Sequence, residues 1–355
     1  MSAGADNSGT REAPGGWPVL IARLVAAEDL DAEQARFALG DVLAGEAGDA
    51  RLAALLVGLA AKGPSPVELE AMVDAMLGAS VPLPLTDPGA TTDIVGTGGS
   101  ASRRNAALNV STMAAFVAAG AGAVVCKHGN RKASSTSGSF DLLDALGLPV
   151  ELDAEGVRRC VDEVGIGFAF ARVFHPAMRH AAPVRTALGI PTVFNVLGPL
   201  AHPGGVTRSV IGVGTPDLAP LMIDVLARRG SPRAMVVCGH DGTDEIVTTG
   251  STRIHELRNG EVTVYDFDPS SLDIPTADQV SVQGGDPDRN AAIARRIFAG
   301  EPGPIADLVA LNAAAVLVVA DHVDTLGDGL VLARASLTDG AAAGRLAALA
   351  ALFDS

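Results

Sequence analysis

Between Trp17 and Leu83 apolar residues recur every three or four positions, the period of helices that each bury one face. Asp31 with Gln34 three residues on predicts a capped helix start, the helix running to Leu43. An apolar stripe over 50–61 predicts a second helix. Ser65-Pro66-Val67-Glu68 predicts a third: Ser as cap, Pro at the first helical position, Glu at the third. Short amphipathic helices of this kind predict a small helical domain over 17–83. The run VPLPLTDPGATT (81–92), with three prolines, predicts a linker.

Beyond it the rhythm changes. Short β-type runs at 93–95, 123–126, 167–171, 209–213, 235–238 and 253–257 alternate with helical runs such as 111–121, 136–146 and 216–229. This alternation predicts an α/β domain over 84–355, with a central, largely parallel sheet flanked by helices. The alanine-rich stretches 305–321 and 338–352 predict closing helices. In open sheets of this class ligands bind beyond the carboxyl ends of the strands, so the loops there carry the chemistry.

Composition narrows the function. The 355 residues, 48% of them apolar, suffice for two domains and a core without disulfides. With 26 basic against 41 acidic side chains the formal charge is -15, which speaks against nucleic acid as a partner but leaves room for a small anion held by a local basic patch. Cys126, Cys160 and Cys238 form no C-x-x-C pair and read as buried small residues of a reducing compartment, so a cytoplasmic protein is expected. No uninterrupted apolar run of about 18 residues predicts a membrane span. Residues 1–16 lack the apolar stretch of a signal peptide and predict a disordered tail.

Four loops attract attention. Gly96-Thr97-Gly98-Gly99, after strand 93–95, lets the backbone aim several N–H groups at a phosphate, and the helix beginning near Asn109-Val110-Ser111-Thr112 adds its N-terminus and hydroxyls. Alone, the same residues are equally a glycine turn and an Asn cap. The run Lys127 to Ser135 (KHGNRKASS) concentrates basic, amide and hydroxyl groups suited to a di- or tri-anion; alone it is a solvated basic turn. Two such loops on successive strands of an acidic chain point to a phosphate pocket. Gly239 to Ile246 (GHDGTDEI) offers adjacent carboxylates suited to Mg²⁺ shared with phosphates, or an exposed acidic turn. Arg185, ahead of Phe194 to Leu200, has the fork to hold a carboxylate, and the nearby histidines read as polar core or helix caps.

Taken in order, DIVGTGG (93–99), NVST (109–112), KHGNRKASS (127–135), SGS (137–139), VRTALGIPTVFNVLGPLAHP (184–203), GHDGTDEI (239–246) and LNAAAVL (311–317) resemble the anthranilate phosphoribosyltransferase family, and the likeness covers nearly the whole chain after residue 16. The resemblance implies a homodimer with a helical domain, to which about 174–200 contribute, joined to a larger α/β domain. It implies transfer of the phosphoribosyl group of phosphoribosyl diphosphate (PRPP) to the amino group of anthranilate, with release of diphosphate. Carried over position by position, Gly96, Gly99, Ser100, Asn109, Val110, Ser111, Thr112, Lys127, Asn130, Arg131, Ser134, Ser135 and Ser139 contact the sugar diphosphate. Ser111, Asp244 and Glu245 bind two Mg²⁺ ions, and Gly96, Asn130 and Arg185 line the anthranilate path. Lys127, Asn130 and Arg185 are the expected catalytic residues.

One loop departs from the family. After GTGG the family has a shorter turn with Asp-Gly and a Thr, whereas here 100–108 reads SASRRNAAL. Two alternatives follow: a relative acting on another aromatic acceptor or cleaving nucleosides by phosphorolysis, and a nucleotide-binding member without turnover.

Overall fold

The computed structural model describes residues 15–98, 106–132 and 136–353. They fall into two compact units: the N-terminal stretch to Ala79 together with Ala177–Val193, and Ser80–Pro176 together with Phe194–Ser355.

The first unit is helical: α1 (Gly16–Val25), α2 (Ala32–Ala44), α3 (Gly48–Lys62) and α4 (Pro66–Gly78). Both expected capping boxes form, at Asp31/Gln34 and at Ser65/Glu68, with Pro66 opening α4. Glu68 does more than cap. Its buried carboxylate also accepts from the Leu30 N–H at 2.8 Å and pairs with Lys62 at 2.7 Å. That set of partners offsets the desolvation an ionised carboxylate meets in a core. Leu20, Leu39, Leu55, Leu56, Leu59 and Met72 fill the interior. On α3, Gly58 has no room for a Cβ against Leu24, and this lets α1 and α3 approach closely.

The second unit is built on a sheet of seven strands: β1 (Thr91–Gly96), β2 (Val124–Gly129), β3 (Ile166–Phe170), β4 (Arg208–Gly212), β5 (Arg233–Gly239), β6 (Thr252–Arg258) and β7 (Glu261–Phe267), in the spatial order β3-β2-β1-β4-β5-β6-β7. The pairings from β3 through β5 are parallel, and β6 and β7 add an antiparallel hairpin. The sheet is thus largely parallel, as the alternation predicts. The pattern did not yield β7. Its side chains up to Asp266 are mostly exposed, so burial leaves little period to read. The turn before it was the legible signal: Asn259-Gly260, both at positive φ, is the favoured two-residue hairpin loop.

Two expectations need correction. Residues 81–92 are not a free linker. The Val81 N–H donates to Phe174 O, the Leu83 N–H to Pro203 O, and Leu83 and Leu85 are buried with Cys126, Val161 and Phe174. Alternation of Leu and Pro puts both leucines on one side of an extended chain, which is why a proline-rich run docks here. In addition, β2 runs three residues past its expected end, so Lys127 and His128 lie in a strand and not in a loop.

The helix α5 (Val110–Gly120) and the helix Pro304–Val319 are buried almost all round, as their uniformly apolar composition requires. Small residues set their spacing: a Cβ on Gly120 would collide with Ser336 and Ala342. The second alanine-rich stretch forms the helix Ala341–Ala351. Among the described residues no helix is long and apolar enough to cross a membrane.

Candidate active site

From β1 the chain winds outward through β2 to β3, then returns to place β4 on the other side of β1. At such a reversal the crossovers leave opposite faces of the sheet and a crevice opens at the carboxyl ends of the strands. Gly96 ends β1 and Gly212 ends β4, opposite each other in register. The segment after β5 folds back over both glycines. A Cβ on Gly212 would strike the Asp244 backbone, so only glycine fits there, and one on Gly96 would displace the Asp244 carboxylate. The Asp244 carboxylate also accepts from the Gly98 N–H at 2.9 Å. Two of the four loops singled out in the sequence therefore meet at the reversal point.

Beside this point β1 and β2 part company. Their registered pairs end at Thr92↔Val125, and beyond them side chains bridge the gap. Asp93 accepts from the His128 N–H at 3.0 Å, and the Lys127 ammonium donates to the Ile94 carbonyl. Burial pushes the Asp93 carboxyl up to about 7, against the pull of Lys127 and of backbone N–H groups. Burial likewise pushes Lys127 down to about 8, against the opposing charges of Asp93 and Asp244. Lys127, expected in a loop after β2, is 2% exposed within the strand and bonds across to β1. Asp93 was missed because an acid inside an apolar strand reads as a β-run residue.

After β2 the chain is tied to α6 (Ser139–Ala145). The Asn130 carbonyl accepts from the Ser139 hydroxyl at 3.1 Å, and its side-chain oxygen from the Arg131 N–H at 2.8 Å. Arg131 reaches Asp141 and Asp144 at 3.2 and 3.1 Å. Asp141 also accepts from the Lys132 and Gly138 N–H groups, which fixes the loop's return. Asn130 remains exposed. At the start of α5, Val110 and Thr112 are buried and Ser111 half-buried. The Thr112 hydroxyl, fully buried, has no hydrogen-bond partner. Asn109 stands in the capping position, yet its side chain makes no cap bond. Gly99, Ser100, Ser134, Ser135 and most of the departing loop lie outside the described residues.

Asp244 and Glu245 are half-buried neighbours on the segment over the crevice. No group of three His, Cys, Asp or Glu side chains suited to a metal exists among the described residues. The two adjacent carboxylates are hard oxygen donors of the kind a divalent ion takes when phosphate and water supply its other ligands. Their backbone is held from outside. In the helix Pro304–Val319, Asn312 accepts from the Ile246 N–H at 3.0 Å and donates to the Ile246 carbonyl at 2.8 Å.

Three histidines cluster nearby: His128 lies 5.1 Å from His175 and 5.8 Å from His202, ring to ring. His202 accepts from the Gly204 N–H and its other ring nitrogen meets the Cys126 carbonyl, while His175 meets the Ala201 carbonyl. Burial, reinforced by neighbouring histidines for His128 and His175 and by Lys127 for His128 and His202, lowers all three, His175 and His202 to about 4, so they are neutral at pH 7. Arg185 lies half-buried on the helix Ala182–Leu188 of the helical unit, whereas Gly96 and Asn130 belong to the α/β unit.

The chain matches known proteins over nearly its full length. Residues 18–80 match the helical bundle domain of the glycosyl transferase family, and residues 89–343 its a/b domain. The anthranilate phosphoribosyltransferase of Saccharopolyspora erythraea is 47% identical over 93% of this chain and 93% of its own. The crystal structure of the enzyme of that name from Thermus thermophilus matches with TM-score 0.88 at 43% identity, covering 94% of this chain and 99% of its own. Anthranilate phosphoribosyltransferase from Saccharomyces cerevisiae, solved with PRPP and Mg and with 4-fluoroanthranilate, matches with TM-score 0.84 in both cases, at 27% and 26% identity, covering 95% and 94% of this chain and 98% and 97% of its own.

Proposed function

This chain belongs to the anthranilate phosphoribosyltransferase family, and from that premise we propose that it transfers the phosphoribosyl group of PRPP to the amino group of anthranilate, releasing diphosphate, as a step of tryptophan biosynthesis. The observation that carries the reading is Asp244 seated over Gly96 and Gly212 at the reversal point. A diphosphate laid there draws on backbone N–H groups of a helix start and on the charge of Lys127 beneath.

In the reaction the bond from the anomeric carbon to the diphosphate oxygen breaks and a bond to the anthranilate nitrogen forms. The amine proton leaves, and the electron pair departs with the diphosphate. Cationic character grows on the ribose while negative charge gathers on the leaving group. Fixed donors aimed at that growing charge stabilise the transition state more than the ground state. The charges of Lys127 and Arg131 and the first turn of α5 do this work, and Ser139 holds the Asn130 carbonyl beside them. Ser111, Asp244 and Glu245 would hold two Mg²⁺ ions per subunit, which would supply charge neutralisation at the leaving group. An aromatic amine is already neutral at pH 7 and needs no strong base, so positioning by Asn130 and Gly96 supplies much of the rest, and the Arg185 guanidinium has the fork that a carboxylate requires.

The working protein is a cytoplasmic homodimer. The free cysteines among the described residues are all buried and unpaired, which suits a reducing compartment. The direct assay is loss of anthranilate fluorescence on addition of PRPP and Mg²⁺. Turnover that depends on both additions is expected, and unchanged fluorescence at high enzyme concentration overturns the reading.

A further inference from the structure

We propose that Asn290 is a positioning residue for the sugar-diphosphate site, and that it acts by keeping Asn109 from capping α5. This rests on the reading of that site given above. Asn290 lies in the first turn of the helix Pro287–Phe298, fully buried and 181 positions from Asn109. Its side-chain oxygen accepts from the Gly285 N–H at 2.9 Å. Its amide donates to the Ala107 carbonyl and to the Asn109 side-chain oxygen, both at 2.8 Å. The same Asn109 oxygen accepts from the Ser137 hydroxyl at 2.8 Å, and the Asn109 amide donates to the Ser137 carbonyl at 3.2 Å. Backbone contacts follow the same lines, from Gly284 N–H to Ala106 O and from Ala107 N–H to the Thr136 hydroxyl.

Asn is among the residues that most readily cap a helix by accepting from its second or third N–H. Asn109 occupies the capping position, but Ser137 and Asn290 take up its oxygen and no cap bond forms. The first N–H groups of α5 are thereby kept from an internal partner and remain available to an anion. The same bonds knit the segment before α5 to the segment before α6, the two loops that flank the diphosphate. An apolar side chain would fill the space equally well, so the amide is there for its hydrogen bonds.

The test compares wild type, Asn290→Ala and Ser137→Ala by steady-state kinetics, by calorimetric titration of PRPP with Mg²⁺, and by thermal melting. In Asn290→Ala the PRPP dissociation constant and KM should rise by roughly tenfold, about the net worth of one buried hydrogen bond (~1.4 kcal/mol), with the anthranilate KM unchanged. Ser137→Ala should shift PRPP in the same direction, and the double variant should lose less than the two single losses combined. A folded Asn290→Ala with wild-type PRPP affinity, or with equal losses for both substrates, overturns the proposal. If Asn290→Ala does not fold, Ser137→Ala decides, and unchanged PRPP affinity there overturns it. A wild-type chain that fails to bind PRPP overturns this inference and the functional reading together; normal wild-type binding with unaffected variants overturns this inference alone.

Discussion

Lys127 and Asp93 illustrate what burial does to charged groups at the residue scale. Each loses hydration, and each is retained because it bonds a main-chain atom of the neighbouring strand where the ladder has ended. Glu245 is the opposite case, half-exposed and adjacent to a second acid. Glu245→Gln should preserve the fold and the melting temperature while removing most activity and raising the Mg²⁺ concentration needed for half-maximal rate. A wild-type Mg²⁺ response in that variant removes Glu245 from the metal site. The buried titratable groups also set a pH dependence. His128, His175 and His202 have lowered values in the fold, so between pH 6.5 and about 4 the unfolded chain takes up protons that the folded one refuses, and stability is lost as pH falls. Asp93 runs the other way: it holds its proton up to about 7 in the fold, which favours the fold on acidification. Three groups oppose one, so the urea midpoint should drop between pH 7 and pH 5. Asp93→Asn should drop further, having lost the counterweight. A midpoint that rises on acidification contradicts the neutral histidine cluster.

Elements position the site through a few polar anchors in apolar helices. The helix Pro304–Val319 is buried nearly all round, and its one amide, Asn312, pairs with both backbone groups of Ile246, directly after Asp244 and Glu245. Removing it leaves an N–H and a carbonyl buried and unpaired. Asn312→Ala should therefore lower stability by about 3 kcal/mol, taking 1–3 kcal/mol for each orphaned group. Chemical denaturation measures this, and Asn312→Leu, which fills the space without the bonds, should not recover it. Sequence pattern recognised the helix and the LNAAAVL motif but gave no partner for the Asn. That partner lies 66 residues away and meets it only in the folded chain. The strap 81–92 was misread for a related reason: proline content signals local stiffness, whereas docking depends on what the two leucines find opposite them.

At the scale of the whole molecule, surface chemistry separates the two units. Of the eleven exposed large apolar side chains among the described residues, Val19, Val25, Val57, Val67 and Ile190 lie in the helical unit, although that unit holds little more than a quarter of the chain. Side chains of this kind on the helical unit are where the proposed homodimer can be tested. Light scattering or sedimentation should find a dimer at micromolar concentration, and Val57→Glu together with Val19→Glu should shift it to monomer without melting the helices. A wild-type chain that stays monomeric over that range rejects the homodimer. At a formal net charge of -15, copies of this chain repel one another, a general force against aggregation.

Local sequence determined the elements whose information is local. Capping boxes, helical stripes, the parallel-sheet alternation and the glycine-rich turn could all be read because each depends on residues within one or two turns of one another. The proposed phosphate and metal chemistry is read in the same way, since it needs particular residue types in short loops. Only the tertiary structure decided how those loops are held: Asp244 over Gly96 and Gly212, Lys127 within β2, Asn312 on Ile246, Asn290 on Asn109. Each of these is a pairing between a buried polar group and a main-chain or side-chain atom distant in sequence. A hydrogen bond carries no signature of its partner along the chain, and packing alone brings the two together.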